Sequence, residues 1–186
     1  MLEVNFFPFP VLKTNRLVLR QITPSDVDCV FKLRSNPETM KFVPRTIATT
    51  TEEAFNHIKA ITKKIDNNEG INWAITLCNS PEMIGIIGHY LIQKENYRSE
   101  IGYMLLPEFS NQGIITEAIE LVLDYGFSQL QLHSVEAIID PKNAASEKVL
   151  IKNGFVKEAH FVENGFFEGV FIDSVVYSIL KRNFVC

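Results

Sequence analysis

At 186 residues with 46% hydrophobic side chains, the chain fits one domain with a sizeable core and would be cramped as two. Its net charge of −4 gives no electrostatic footprint for nucleic acid, whose binders usually carry a basic face, and suits a cationic partner better. No apolar run reaches the ~18–20 residues of a membrane span, and the MLEVNFFPFP start lacks a cleavable secretory pattern, so a cytoplasmic location is expected.

Residues 16–22, RLVLRQI, alternate as a half-buried strand does. Thr23, Pro24, Ser25 and Asp26 then spell a capping box with proline at the first helical position, predicting a helix to about Ser35. Pro37, Pro44 and a cluster of threonines keep residues 36–50 out of a helix, and helical spacing resumes over 52–65 through Phe55, Ile58, Ile61 and Ile65. INWAITLCN, MIGIIGHYLIQ and RSEIGYMLL are rich in β-branched and aromatic residues and are parted by polar turns, so they read as an antiparallel meander. After Pro107 the period becomes helical, with Ile115, Ala118, Ile119, Val122 and Gly126 on one face. HSVEAIID reads as a buried strand, and residues 143–153 as a short helix capped by Asn143 and stopped by Gly154. The tail alternates on both sides of Asn164-Gly165, which predicts a hairpin turn there.

The order β-α-α-β-β-β-α-β-α-β-β predicts one α/β domain over 1–186, with its core at about 14–182. Its sheet is mixed and mostly antiparallel, flanked by helices, and does not match a doubly wound nucleotide fold. Cys29, Cys78 and Cys186 are odd in number and widely spaced, so reduced thiols are expected. His57, His89, His133 and His160 lack metal-ligand spacing, and no metal is expected. Trp73, Phe42, Tyr90 and Tyr97 read more readily as core than as pocket walls.

Chemistry concentrates where the third strand of the meander passes into the next helix. Gln112, Gly113, Ile114, Ile115 and Thr116 stand at the predicted helix start, where unpaired backbone N–H groups and a partial positive charge can hold a diphosphate without lysine. Taken alone, Gly113 reads more readily as a tight turn, and the neighbouring motifs decide. About 30 residues later come Asn143-Ala144-Ala145-Ser146 and Lys152-Asn153-Gly154-Phe155. Together with Glu100-Ile101-Gly102-Tyr103 and the tail Asp173-Ser174-Val175-Val176-Tyr177-Ser178, these motifs resemble the GNAT superfamily of N-acetyltransferases. Within it they look like the branch that acetylates N-terminal alanine and serine of ribosomal proteins. The resemblance runs from Arg16 to about Leu180 in element order.

It implies acetyl-coenzyme A as co-substrate, bound by residues 112–116, by backbone groups of Met104 and Leu105, and by Asn143 along the pantetheine arm. It implies Glu100 as the base and Ser146 as the group that steadies or protonates the leaving thiolate. From the residues alone, Glu100 is also an ordinary strand carboxylate, Asn143 a helix cap and Ser146 a polar first-turn residue. Two positions depart from the superfamily pattern: Ile115 stands where glycine or alanine is usual, and Leu150 where many members have a tyrosine acid, so the acid here is another residue or water. A neutral amine is needed to attack a thioester. An α-amine, pKa about 7.8, meets this more easily than a lysine at about 10.4, a difference of roughly 3.5 kcal/mol. The expected acceptor is a protein N-terminus. The alternatives are a small amine, such as a polyamine, amino acid or aminoglycoside, and a non-catalytic coenzyme A-binding module. Direct contact with nucleic acid or membrane is not expected, and a homodimer stays open.

Overall fold

The computed structural model describes residues 1–184. Cys186, read above as a free thiol, lies outside them. A two-residue strand, β1 (Leu12–Lys13), pairs with β2 (Leu17–Gln21), whose Leu17 and Leu19 are wholly buried. The predicted capping interaction forms, with the Thr23 N–H donating to Asp26 Oδ2 at 2.8 Å, but its first turn is a 3-10 helix ahead of α1 (Val27–Ser35). Asp26 also receives a two-pronged hydrogen bond from Arg20, at 2.8 and 2.7 Å. Burial works to raise Asp26, yet the bonds from Arg20 and Thr23 outweigh it and hold the carboxyl below its usual range.

The segment read as helix-free contains a one-turn helix, α2 (Pro37–Met40). Proline at its first position and Asn36 Oδ1, which accepts from the Glu38 N–H at 2.8 Å, supply the start that the proline count obscured. In α3 (Thr51–Asp66) the inward face is Ala54, Ile58, Ile61 and Ile65. Phe55 turns outward beneath the ammonium of Lys59, 4.5 Å from its ring centre.

The meander β3 (Ile71–Leu77), β4 (Ser80–Gln93) and β5 (Arg98–Leu105) is followed by α4 (Ile114–Ser128), β6 (Ser134–Ile139), α5 (Ala144–Lys152), β7 (Val156–Phe167) and β8 (Val170–Leu180). The eight strands lie in the order β1-β2-β3-β4-β5-β6-β8-β7, and β5–β6 is the parallel pair among antiparallel ones. Helices α1 and α3 pack together over one face, and α4 and α5 over the other. His89 ties β4 to α4: its buried ring spans from Ser99 Oγ, 2.8 Å from Nδ1, to the Val122 carbonyl, 2.9 Å from Nε2. Gly126 leaves room for that ring, since a Cβ there would come within 2.8 Å of Nε2. Burial pushes His89 down to about 4, so the ring is a neutral strut.

The tail hairpin turns at Glu168-Gly169 instead of Asn164-Gly165. Both turn residues have positive φ, 47° and 83°, as a two-residue turn requires. Asn164 and Gly165 lie inside β7, where the register with β8 shifts between Phe161 and Gly165; the Ser174 hydroxyl donates to Asn164 Oδ1 there. Two segments therefore competed for the turn, and cross-strand pairing of Phe166 with Phe171 and Phe167 with Val170 favours the later one. Among the described residues no helix is long and apolar enough to cross a membrane.

Candidate active site

The parallel pairing of β5 with β6 spans Arg98, Ser99 and Glu100 opposite Ser134, Val135 and Glu136, and stops there. Beyond this point β5 stays bound to β4 as far as Leu105, while β6 stays bound to β8 as far as Ile139. The strands thus part into a wedge with Glu100 and Glu136 at its vertex. Main-chain groups of successive strand residues face alternate neighbours. The Tyr97 carbonyl accepts from the Ser134 N–H on the β6 side, and the Leu106 N–H donates to the Ile84 carbonyl on the β4 side. That alternation turns the main chain of Ile101, Tyr103 and Leu105 into the wedge and that of Met104 towards β4. Of the two residues whose backbone the sequence assigns to an extended ligand, Leu105 faces the wedge and Met104 faces β4, and Tyr103 presents its main chain on the wedge side as well.

Glu100 lies on the α1–α3 face, its strand neighbour Tyr90 beside it. Burial, then the negative charge of Glu136, raise its pKa, against the pull of Arg45 and Lys64. Glu136 is itself held by Arg98 at 2.5 Å. Tyr90 lies across the strand: a Cβ on Gly102 would meet its ring at 2.6 Å, so glycine at 102 gives Tyr90 its place next to Glu100.

Tyr103, three residues further on, projects from the opposite face. Its hydroxyl is buried and has no hydrogen-bond partner among the described residues. Burial pushes it up to about 12, partly offset by the hydroxyl of Ser146, which approaches without completing a hydrogen bond. Ser146 stands in the first turn of α5, where Asn143 Oδ1 accepts its N–H at 3.1 Å. Asn143 is thus a working helix cap, and the part of it left for a ligand is its amide NH2. Leu150, where many superfamily members place a tyrosine, is fully buried. Tyr103 was quoted in the sequence as part of a motif without a role; the alternation of β5 combined with the position of α5 could have singled it out.

At the head of α4, Gly113 adopts φ 76°, ψ 4°. A Cβ there would meet only the Arg16 guanidinium, at 3.8 Å, so it is the left-handed backbone that calls for glycine. Glu117 donates its N–H to the Gly113 carbonyl, leaving the N–H groups of Gly113, Ile114, Ile115 and Thr116 without intrahelical partners. The side chain of Ile114 is buried and that of Ile115 packs against the core, so neither covers those donors. At Gln112 the carbonyl accepts from Arg16 at 3.3 Å and the side-chain amide donates to the Glu108 carbonyl. Arg16, which also pairs with Glu117 at 2.7 Å, is a cation at this loop that the sequence reading missed. The open wedge, the four free N–H groups and the orphaned Tyr103 hydroxyl fit an extended ligand with a diphosphate at one end.

On the Glu100 face, past the end of β6, lies a hollow of about 340 Å³ walled by α2 and the loop after it, by Ile138 and Ile139, and by the β7–β8 turn. Phe42 lines it, whereas Trp73 is in the core, its Nε1–H donating to the Pro10 carbonyl at 2.7 Å. Tyr97 is exposed in the turn that leads into β5.

Residues 16–156 match the acetyltransferase (GNAT) domain. The chain is 36% identical over 173 residues to the uncharacterized N-acetyltransferase YoaA of Bacillus subtilis (strain 168), covering 93% of this chain and 98% of YoaA. It is 23% identical over 167 residues to spermidine N(1)-acetyltransferase of Escherichia coli (strain K12), covering 90% and 87%. Among solved structures, a GNAT-family acetyltransferase from Bacillus anthracis superposes with a TM-score of 0.83 at 27% identity, covering 93% and 99% of the two chains. RimL, a ribosomal L7/L12 alpha-N-protein acetyltransferase solved with coenzyme A, superposes at 0.82 with 20% identity over 92% and 98%, a likeness of fold.

Proposed function

Since this chain belongs to the GNAT acetyltransferase family and is an acetyl-coenzyme A-dependent N-acetyltransferase, we propose that its acceptor is a protein N-terminal α-amine and that Glu100 is its base. The observation that carries the reading is the division of groups about the wedge, with Glu100 on one face and the Tyr103 and Ser146 hydroxyls on the other. Acetyl-coenzyme A supplies a thioester carbonyl. The free N–H groups of Gly113 to Thr116 bind its diphosphate, with Arg16 as the nearby cation. Main-chain groups of Tyr103 and Leu105 and the amide NH2 of Asn143 hold the pantetheine arm.

The amine enters from the α1–α3 side. Glu100 accepts its proton, directly or through water, as the new N–C bond forms. As the C–S bond breaks, Tyr103 or Ser146 donates a hydrogen bond or proton to the sulfur. A raised carboxylate pKa suits this role, since a base works best when its pKa approaches the working pH. With no charged partner in contact, the two hydroxyls favour a developing anion without stabilising the ground state in advance. The protein would act in the cytoplasm.

The spermidine-acetylating relative supports a second reading, a small polyamine as acceptor. Thiol release from acetyl-coenzyme A with short peptides and with spermidine separates the two. Peptides with a free N-terminus should react at least tenfold faster, with mass spectrometry finding the acetyl group on the α-amine. Faster reaction of spermidine would overturn the proposal.

A further inference from the structure

Arg16, Arg20 and Arg98 each meet a carboxylate, in Glu117, Asp26 and Glu136. Arg34 and Arg45 meet none within ion-pair distance among the described residues. Both belong to the face that carries Glu100. Arg34, near the end of α1, is partly buried and lines a hollow of about 290 Å³ with Ile47, Glu53 and His57. Arg45 lines the adjoining hollow of about 340 Å³, and Ile47 belongs to both walls. The carboxylate of Glu53 is committed elsewhere, accepting from the N–H groups of Thr49 and Thr50 at 2.6 and 3.2 Å. Lys64 stands two turns beyond His57 on the same side of α3.

Holding a guanidinium partly out of water without a counter-ion is costly, and a ligand carboxylate would relieve that cost. We propose that the acceptor carries a carboxylate a few bonds from its reacting amine, taken by Arg34 and Arg45 while the amine reaches Glu100. This rests on the acetyl-transfer reading above and narrows its acceptor. Arginine suits the task because its planar fork matches a carboxylate in two-pronged geometry. The local field agrees: burial, followed by Arg34, Arg45 and Lys64, pushes His57 down to about 4, so the ring stays neutral among cations. The same cations repel the additional ammonium groups of a polyamine and favour the neutral form of the amine to be acetylated.

The test measures thiol release, with acetyl-coenzyme A saturating, for two matched pairs of acceptors. One pair is a hexapeptide beginning Ala-Asp against the same peptide beginning Ala-Asn; the other is alanine against alaninamide, which separates a peptide side chain from a free amino acid as the source of the carboxylate. At least one pair should show tenfold or greater preference in kcat/KM for the acid, mainly through KM. Arg34→Gln and Arg45→Gln should bring that ratio close to one, and Arg45→Lys should restore part of it. If Arg34→Gln fails to fold, the exposed Arg45 carries the test alone. Equal kcat/KM within both pairs, or a preference unchanged in Arg45→Gln, overturns this proposal and leaves acetyl transfer standing. No thiol release with any acceptor overturns both.

Discussion

On the α1–α3 face of the wedge the side chains that gather are charged: Glu100, Arg34, Arg45 and Lys64. On the α4–α5 face they are neutral, a tyrosine and a serine hydroxyl beside main-chain N–H groups at a helix start. The charged face can select an acceptor and remove its proton, because charges discriminate between protonation states. The neutral face can hold the thioester end of the co-substrate without a fixed charge beside it, and Arg16, itself paired with Glu117, is the cation near the diphosphate. One strand serves both, since the three-residue step from Glu100 to Tyr103 crosses the sheet.

Removing the charge at the vertex should have the largest effect. Glu100→Gln is expected to lower kcat about 100-fold at neutral pH, the low end for a lost general base, with acetyl-coenzyme A affinity unchanged. The deficit should narrow as pH rises and more of the amine is neutral on its own. Stability moves the other way: a carboxyl raised by folding gives stability that is full below its unfolded pKa and is lost as pH climbs through the folded one. Thermal unfolding at pH 8 should therefore find Glu100→Gln at least as stable as the parent. A rate unaltered at neutral pH would remove Glu100 from the mechanism.

The next largest effect is expected at the start of α4. Gly113→Val forces a branched residue to φ 76°, at a cost of about 1–3 kcal/mol, and disturbs the N–H donors that follow. Calorimetric titration should show coenzyme A binding weakened by roughly tenfold or more, whereas Ile115→Ala should bind as well as the parent because its side chain already packs inward. Equal affinity in Gly113→Val would move the diphosphate elsewhere.

Smaller losses should appear on the hydroxyl pair. Tyr103→Phe and Ser146→Ala are each expected to lower kcat by about tenfold, for one hydrogen bond of roughly 1–1.5 kcal/mol to the departing sulfur. If the two act as a unit, the double variant will be little worse than either alone, which a double-mutant cycle reads directly. Losses that multiply fully would mean two independent roles.

Asn143→Ala should have the mildest outcome. Loss of its cap bond to the Ser146 N–H is worth ~1 kcal/mol, or about 2–4 °C in Tm for a chain of this size. If its NH2 also binds the pantetheine, coenzyme A affinity falls with it; a change in Tm alone would leave Asn143 purely a cap.

The sequence carried the element order well because each periodic run is amphipathic or buried over its whole length, as in Ala54 to Ile65 and the β3–β5 meander. It misled where two local signals competed, Asn164-Gly165 against Glu168-Gly169, since turn propensity does not register the strand pairing that decides between them. Glu100, Gly113, Asn143 and Ser146 could be picked out because motifs frame them. Arg16, Arg34 and Arg45 could not, because their significance lies in a missing partner or a neighbour distant in the chain. Arg16 reaches Glu117 across about a hundred residues, and no local pattern records that.

The central claim, an α-amine acceptor deprotonated by Glu100, is tested most directly on one peptide bearing both a free N-terminus and an internal lysine. Mass spectrometry would follow acetylation of each site between pH 6 and 9 by the parent and by Glu100→Gln. The account predicts acetyl on the α-amine at every pH and a deficit in Glu100→Gln that shrinks towards pH 9. Acetyl on the lysine, or parallel pH profiles for the two proteins, would contradict it.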